Sequence, residues 1–195
     1  EDFLANITSH REMTPVRFPD QEDLNGAAAA ILRLQDTYRL DTTDMASGNI
    51  QGVKRSEEME AHDCFELGRV SYNQGDYYHT LLWMQEALNR LEHEEPKTAD
   101  ETEVLEYLGF SMFQQGNIKR ALQLTKKLAK LAPNHPRAEG NIKWYEDMLV
   151  EQGVKKDGVD VPPMVNPRPT EPALPERDVY EALCRGEIPM SEKLK

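Results

Sequence analysis

Two sets of residues have types and spacings that suit a ligand. Tyr107 and Phe110 stand at i and i+3, and Arg137, Asn141 and Trp144 at i, i+4 and i+7. On helices, each set shares one face. Flat rings offer apolar walls to pyrrolidine rings, while Asn and Arg can donate to the unpaired carbonyls of a polyproline II chain. The combination suits an extended, proline-rich peptide, a ligand already stiff before it binds. Glu106 sits beside Tyr107 as a groove-edge residue. On spacing alone, the same three rings are more simply read as ordinary interhelix core. Metal chemistry has one weak candidate, His93-Glu94-Glu95 with His135 as a distal third ligand. That pair falls in a polar connection, where a solvated loop is the simpler expectation. No phosphate-cradling Gly-rich loop, nucleophile elbow or CxxC is present.

The elements that must position these residues come from a repeat. Leu67-Gly68-x-x-x-Tyr72-x-Gln74-Gly75 returns as Leu108-Gly109-x-x-x-Phe113-x-Gln115-Gly116, every member displaced by 108 − 67 = 41 residues. Helices are expected over 61–73, 77–91, 99–115 and 118–131, with a fifth beginning near Pro136 and ending near Gln152. Gly75-Asp76 and Gly116-Asn117 make the turns, and Pro136 suits a first helical turn. Trp83, Met84, Ala87, Leu88 and Leu91 recur at helical spacing as core. Helix pairs with short turns and a small residue at the approach are tetratricopeptide features, although the period exceeds the usual ~34. First helices of such pairs line the concave side. The faces of the third and fifth helices should therefore meet in one groove.

The fold class is all-α: an array of about five helices, preceded by an additional helix and followed by a Pro-rich extended tail. The expected division is 1–58, an N-terminal segment with one helix capped by Asp20 over about 21–38; 59–152, the helical array; and 153–195, the tail. The tail carries Pro162, Pro163, Pro167, Pro169, Pro172 and Pro175 and reads as a solvated linker, with a short helix near 178–185. Its prolines resemble the proposed ligand, so 161–175 could alternatively occupy the groove of its own or a neighbouring chain.

Composition excludes several partners. With 23 Lys and Arg against 35 Asp and Glu, the formal charge is −12, which disfavours nucleic acid. No apolar run approaches the ~20 residues of a membrane span, so no membrane partner is expected. Lys126, Lys127 and Lys130 read as a solvated face rather than a clamp for acidic peptides; such a clamp would make the chain a general assembly module instead. Two cysteines are too few for a disulfide scaffold, and Cys64 is expected to be a buried thiol. Asn6-Ile7-Thr8 fits the N-glycosylation pattern at Asn6. The chain opens without Met or a leader, which reads as a mature or trimmed form.

Longer stretches carry a family resemblance. They are Gly26-Ala27-Ala28 with 32–38, Asp63-Cys64-Phe65-Glu66-Leu67-Gly68, Gly75-Asp76-Tyr77-Tyr78-His79-Thr80, 122–128, Gly140-Asn141, 174–180 and 183–187. Together they resemble the alpha subunit of collagen prolyl 4-hydroxylase. That resemblance implies a tetratricopeptide-like domain binding proline-rich procollagen segments (X-Pro-Gly repeats) in a tyrosine-lined groove. Tyr107, Arg137 and Asn141 fall on groove positions; Glu106 stands where Asp is common, and Phe110 and Trp144 where Tyr is common. It also implies a parent 2-oxoglutarate-dependent dioxygenase using iron(II) and ascorbate, whose catalytic domain would follow residue 195, so no cofactor and no activity are expected within this stretch. It further implies protein disulfide isomerase as beta subunit, a possible homodimer through N-terminal helices, residence in the endoplasmic reticulum lumen, and a downstream disulfide partner for Cys184.

Overall fold

The computed structural model describes residues 18–153, 162–168, 170 and 173–189. Asn6 and the 154–161 portion of the tail lie outside them. Among the described residues the helices are α1 (Gln21–Tyr38), α2 (Thr42–Ala46), α3 (Ala61–Asn73), α4 (Tyr77–Leu91), α5 (Glu101–Gln114), α6 (Ile118–Leu131), α7 (Ala138–Glu151) and α8 (Arg177–Cys184). A two-residue antiparallel ladder, β1 (Asn49–Ile50) with β2 (Val53–Lys54), lies between α2 and α3. The protein is all-α in class, and α3 to α7 pack consecutively as a tetratricopeptide-like array.

Local chemistry explains the hairpins. Gly75 and Gly116 take φ of 73° and 81°, a left-handed turn that glycine adopts without a Cβ penalty. Asp76 then caps α4 through the His79 amide at 3.1 Å, and Asn117 caps α6 through the Arg120 amide at 3.2 Å. The repeated glycine one helix earlier has a different task. A Cβ on Gly68 would lie 2.8 Å from Met84 Cε, and one on Gly109 3.2 Å from Thr125 Oγ1. Each pair of helices thus closes at a position where an added Cβ would force a neighbouring side chain to shift.

The main core joins α1 to the array around Trp83, Met84, Leu105 and Leu108, all fully buried. Trp83 Nε1 donates to Gln35 Oε1 on α1 at 3.0 Å, so the indole nitrogen is not left unpaired in the core. Thr43 Oγ1 of α2 donates to Glu86 Oε2 at 2.8 Å. Cys64 is buried, and burial pushes its thiol up to about 12. It is an inert core group.

Several expectations need correction. Pro136 precedes α7 rather than opening it, and Arg137 is the N-cap. The α5 helix begins at Glu101 rather than 99. Along α1, Ala28 and Leu32 are buried, while Leu24 and Leu34 are exposed. The tail is not simply a solvated linker, nor does its described part bond the groove residues. Val165, Asn166 and Arg168 hydrogen-bond to Gln115, Asp36, Asp76 and Gln74 at the turn ends of the array.

A buried charge cluster ties α1 to α4. His79, fully buried, lies 2.8 Å from Asp76 through Nδ1 and 3.1 Å from Asp36 through Nε2. Burial alone would lower its pKa, but the two carboxylates outweigh burial and raise it. Asp76 moves the other way: burial raises it, and the His79 and Arg168 bonds bring the net value down. The histidine contribution is therefore complete below its ordinary value of ~6.5 and fades as pH rises through the raised one. The aspartate contribution is complete above ~4 and fades as pH falls through the lowered value. In urea titrations, stability should decline as pH rises from ~6.5 through the raised histidine value, and His79→Gln should remove most of that slope. An identical slope in the variant would show that the cluster does not govern it.

Candidate functional site

The face shared by α3, α5 and α7 carries a continuous ladder of rings. Tyr107 meets Phe65 at 5.6 Å and Tyr72 at 4.8 Å between centroids, both edge-on. Phe110 lies 5.9 Å from Tyr72, 6.3 Å from Tyr77 and 6.1 Å from Phe113. Phe113 then reaches Trp144 at 4.5 Å and stacks on Tyr145 at 5.0 Å. Edge-on and offset contacts of this kind add about 0.5–1.5 kcal/mol per pair beyond burial. Tyr107 and Phe110 are half-buried, with one side in the core and one toward solvent. Trp144 is the open end, 45% exposed.

The α5 and α7 faces do meet, but through partners that the helical spacing did not identify. At one end Arg137 Nη2 pairs with Glu106 Oε1, while His135 Nε2 lies 3.2 Å from Glu106 Oε2. At the other end Phe113 packs on Trp144. Glu106 to Phe113 and Arg137 to Trp144 are each seven residues, about 10.5 Å along a helix. The two helices therefore run side by side in register, with an ion-paired rung and an aromatic rung. Phe110 turns toward α3 instead, so Phe113 is the ring that joins Trp144 to the rest. Tyr72 and Phe113 occupy the same place in the repeated phrase, and their identity as its aromatic member was the available signal.

Between the rungs sits Asn141, half-buried. Its backbone amide donates to the Arg137 carbonyl at 3.0 Å, placing it one turn above Arg137. Among the described residues no hydrogen bond forms to the Asn141 side-chain amide, the Trp144 indole N–H or the Tyr107 hydroxyl. Arg137 is 70% exposed, and one guanidinium nitrogen, Nη2, pairs with Glu106. The array therefore offers apolar ring faces next to unused donors. On α3, Arg69 forks onto Glu66 at 3.0 and 2.5 Å, closing the far wall with a self-satisfied pair. Burial, then the nearby Tyr77 and Tyr107, raise the Tyr72 hydroxyl above its ordinary value, so it stays a neutral donor. Tyr145 is pushed up to about 12 by burial.

Other sequence candidates are engaged elsewhere. Glu94 accepts from the Ala61 amide at 2.6 Å and from Thr98 Oγ1 at 2.7 Å, a structural cap at the base of α3. His135 is taken by Glu106. Lys126 and Lys127 pair with Glu146 at 2.7 Å and Glu101 at 2.9 Å, so neither lines the aromatic face as a free cation. Among the described residues no three His, Cys, Asp or Glu side chains are grouped to hold a metal ion.

Comparison with known proteins adds a lineage. Residues 61–151 match the family model of the prolyl 4-hydroxylase peptide-substrate-binding domain, and residues 1–52 that of the prolyl 4-hydroxylase alpha-subunit N-terminal region. Prolyl 4-hydroxylase subunit alpha-2 of Caenorhabditis elegans is 60% identical over 190 residues, covering 97% of this chain and 35% of that protein. Subunit alpha-1 of the same animal is 49% identical over 181 residues, with coverage of 91% and 32%. Human subunit alpha-1 is 46% identical over 193 residues, with coverage of 96% and 35%. The chain spans about a third of the length of these relatives.

If Phe113 joins the ladder, Phe113→Leu should cost about 1–2 kcal/mol in unfolding free energy. It should also raise acrylamide quenching of Trp144, with fully buried Trp83 as the internal reference. Unchanged quenching and stability would mean that the rings are neighbours without being a packed unit.

Proposed function

The chain belongs to the prolyl 4-hydroxylase alpha-subunit family, and from that premise we propose that residues 61–151 hold extended proline-rich segments, of the procollagen X-Pro-Gly type, along the aromatic ladder. The observation that carries this reading is the Asn141 side-chain amide, without a hydrogen-bond partner among the described residues, set between the Trp144–Phe113 rung and the Arg137–Glu106 rung.

The physical fit is specific. A polyproline II chain has three residues per turn and a rise of ~3.1 Å, so the same face returns every ~9.3 Å. The two rungs are separated by about the same distance along α5 and α7. Pyrrolidine rings can lie on Tyr107, Phe110 and Trp144, while carbonyls that lack internal partners accept from Asn141 and Arg137. Glu106 holds Arg137 at the groove edge. Because the ligand is already extended, little chain entropy is lost on docking. Phe110 presents a ring without a hydroxyl, and Trp144 a donor-only N–H, which favours stacking and carbonyl contacts over acceptance from the ligand.

The reading extends to the whole protein. The family resemblance leads us to propose, for the whole protein, a 2-oxoglutarate-dependent procollagen-proline dioxygenase using iron(II) and ascorbate, with protein disulfide isomerase as partner in the endoplasmic reticulum lumen, and the Asn6-Ile7-Thr8 pattern makes Asn6 the proposed glycan acceptor. The described residues do not provide a metal-binding set, so no chemical step is assigned to them. Their part is to bind a repetitive substrate and raise its local concentration near the reacting site, a multivalency effect. The homodimer that the resemblance implies would place two such sites in one assembly.

Calorimetric titration with a (Pro-Pro-Gly)n peptide tests the groove. Tyr107→Ala, Asn141→Ala and Trp144→Ala should each weaken binding by about tenfold, roughly 1.4 kcal/mol, while Lys127→Ala should not change it. Undiminished affinity in all three groove variants would remove the assignment.

A further inference from the structure

The array carries a second row of recognition groups, on the ends of its helices rather than on the aromatic face. Gln74 and Gln115 are the C-cap residues of α3 and α5, each followed by a left-handed glycine, and they hold the same place in the repeated phrase. The Gln115 side chain forms a two-point contact with one residue of the tail. Its Nε2 donates to the Val165 carbonyl at 3.1 Å, and its Oε1 accepts from the Val165 amide at 2.8 Å. That is main-chain recognition of the kind a β-strand edge supplies. Three residues later Arg168 Nη2 donates to Gln74 Oε1 at 3.4 Å.

The arginine is held more firmly by charge. Its Nε donates to Asp76 Oδ2 at 2.6 Å and lies 3.6 Å from Asp36 Oδ2. Both aspartates also face His79, so the guanidinium completes a cluster of two carboxylates, an imidazole and a guanidinium. Asn166 Nδ2 donates to Asp36 Oδ1 at 2.7 Å, and its own Oδ1 accepts the Arg168 amide at 3.0 Å. Charge-assisted bonds such as the Arg168–Asp76 pair are about twice as strong as neutral ones.

Spacing makes this a register rather than a chance contact. An extended chain advances ~3.1–3.4 Å per residue, so Val165 and Arg168 present groups ~10 Å apart. Adjacent packed helices lie 8–10 Å apart, so equivalent positions on neighbouring hairpins repeat at nearly the same distance. One hairpin per three ligand residues is the result. A third Gln-Gly pair, Gln152-Gly153, ends α7 and extends the row.

We propose that the helix ends bearing Gln74 and Gln115, with Asp36 and Asp76, form a second extended-chain site whose ligand is the chain's own Val165–Arg168. The site reads one main-chain amide and carbonyl at the first position and an arginine three residues on. Pro167 between them helps keep the segment extended, since it fixes its own φ and biases the preceding residue away from helix. Docking has a structural consequence. Arg177 at the start of α8 donates to the Arg168 carbonyl, and Arg185 Nη1 at its end donates to the Thr37 carbonyl of α1 at 2.7 Å. The clasp thus lays α8 against α1 and fixes where the polypeptide leaves the array. This inference stands apart from ligand binding on the aromatic ladder.

Site-resolved amide exchange on the full chain tests it. The Val165 amide should exchange at least tenfold more slowly than expected for an unstructured residue, and Gln115→Ala or Arg168→Glu should each remove that protection. Both variants should bind (Pro-Pro-Gly)n within about twofold of the parent, and saturating (Pro-Pro-Gly)n should leave Val165 protected. Val165 exchanging at the unstructured rate in the parent chain would overturn the proposal. So would displacement by (Pro-Pro-Gly)n, which would place the tail in the groove, or protection that scales with protein concentration, which would make the ligand a second copy's tail. If (Pro-Pro-Gly)n binds nowhere, the exchange result still decides this site.

Discussion

Everything on the aromatic face depends on how closely the two helices of a hairpin approach. At Gly68 the space for a side chain is already filled by Met84, whose Cε and Cγ would lie 2.8 and 3.0 Å from any Cβ. Gly109 repeats the constraint against Thr125, a stiffer, β-branched neighbour. Glycine inside a helix costs about 0.5–1 kcal/mol relative to alanine, so its presence at both positions reflects a packing need. With each pair drawn together, α3, α5 and α7 come close enough for their rings to touch. Without that approach the ladder from Phe65 to Trp144 would be a set of isolated aromatics.

The rings of the ladder lie partly in the core and partly open to solvent. Tyr107 and Phe110 use one side to pack on Tyr72 and leave the other open, so burial locks their rotamers without removing them from solvent. Rigid rings of this kind give contact area at little entropic cost. Charge is handled locally: Glu106 with Arg137 and His135, and Glu66 with Arg69, satisfy themselves at the margins. A second charge cluster, Asp36–His79–Asp76 with Arg168, serves assembly instead, linking α1, α4 and the tail.

Much of the frame was legible in the sequence because its signals are local. The bounds 61–73, 77–91 and 118–131 follow from a Gly turn, an Asp or Asn cap and apolar periodicity, all within a few residues. The site was legible only in part. Tyr107, Phe110, Asn141 and Trp144 were identified by face, but Phe113, the ring that joins them, was read as a mark of the repeat. Arg137 was placed on the helical face, whereas it caps the helix and pairs with Glu106. The tail's contacts with the rest of the chain lie 50 to 148 residues from their partners in sequence, and no period encodes such a register. The β1–β2 ladder was missed because two-residue strands carry no alternation to read.

The central claim is that the exposed edge of this ladder is a surface for proline-rich chains. Its most direct test is a two-dimensional NMR titration of the full chain with (Pro-Pro-Gly)n, following side-chain signals. Saturable shifts at the Trp144 indole and the Asn141 amide, with the Trp83 indole unmoved in the core, are the result this account predicts. Shifts confined to the helix ends around Gln74 and Gln115, or none at saturating peptide, would contradict it.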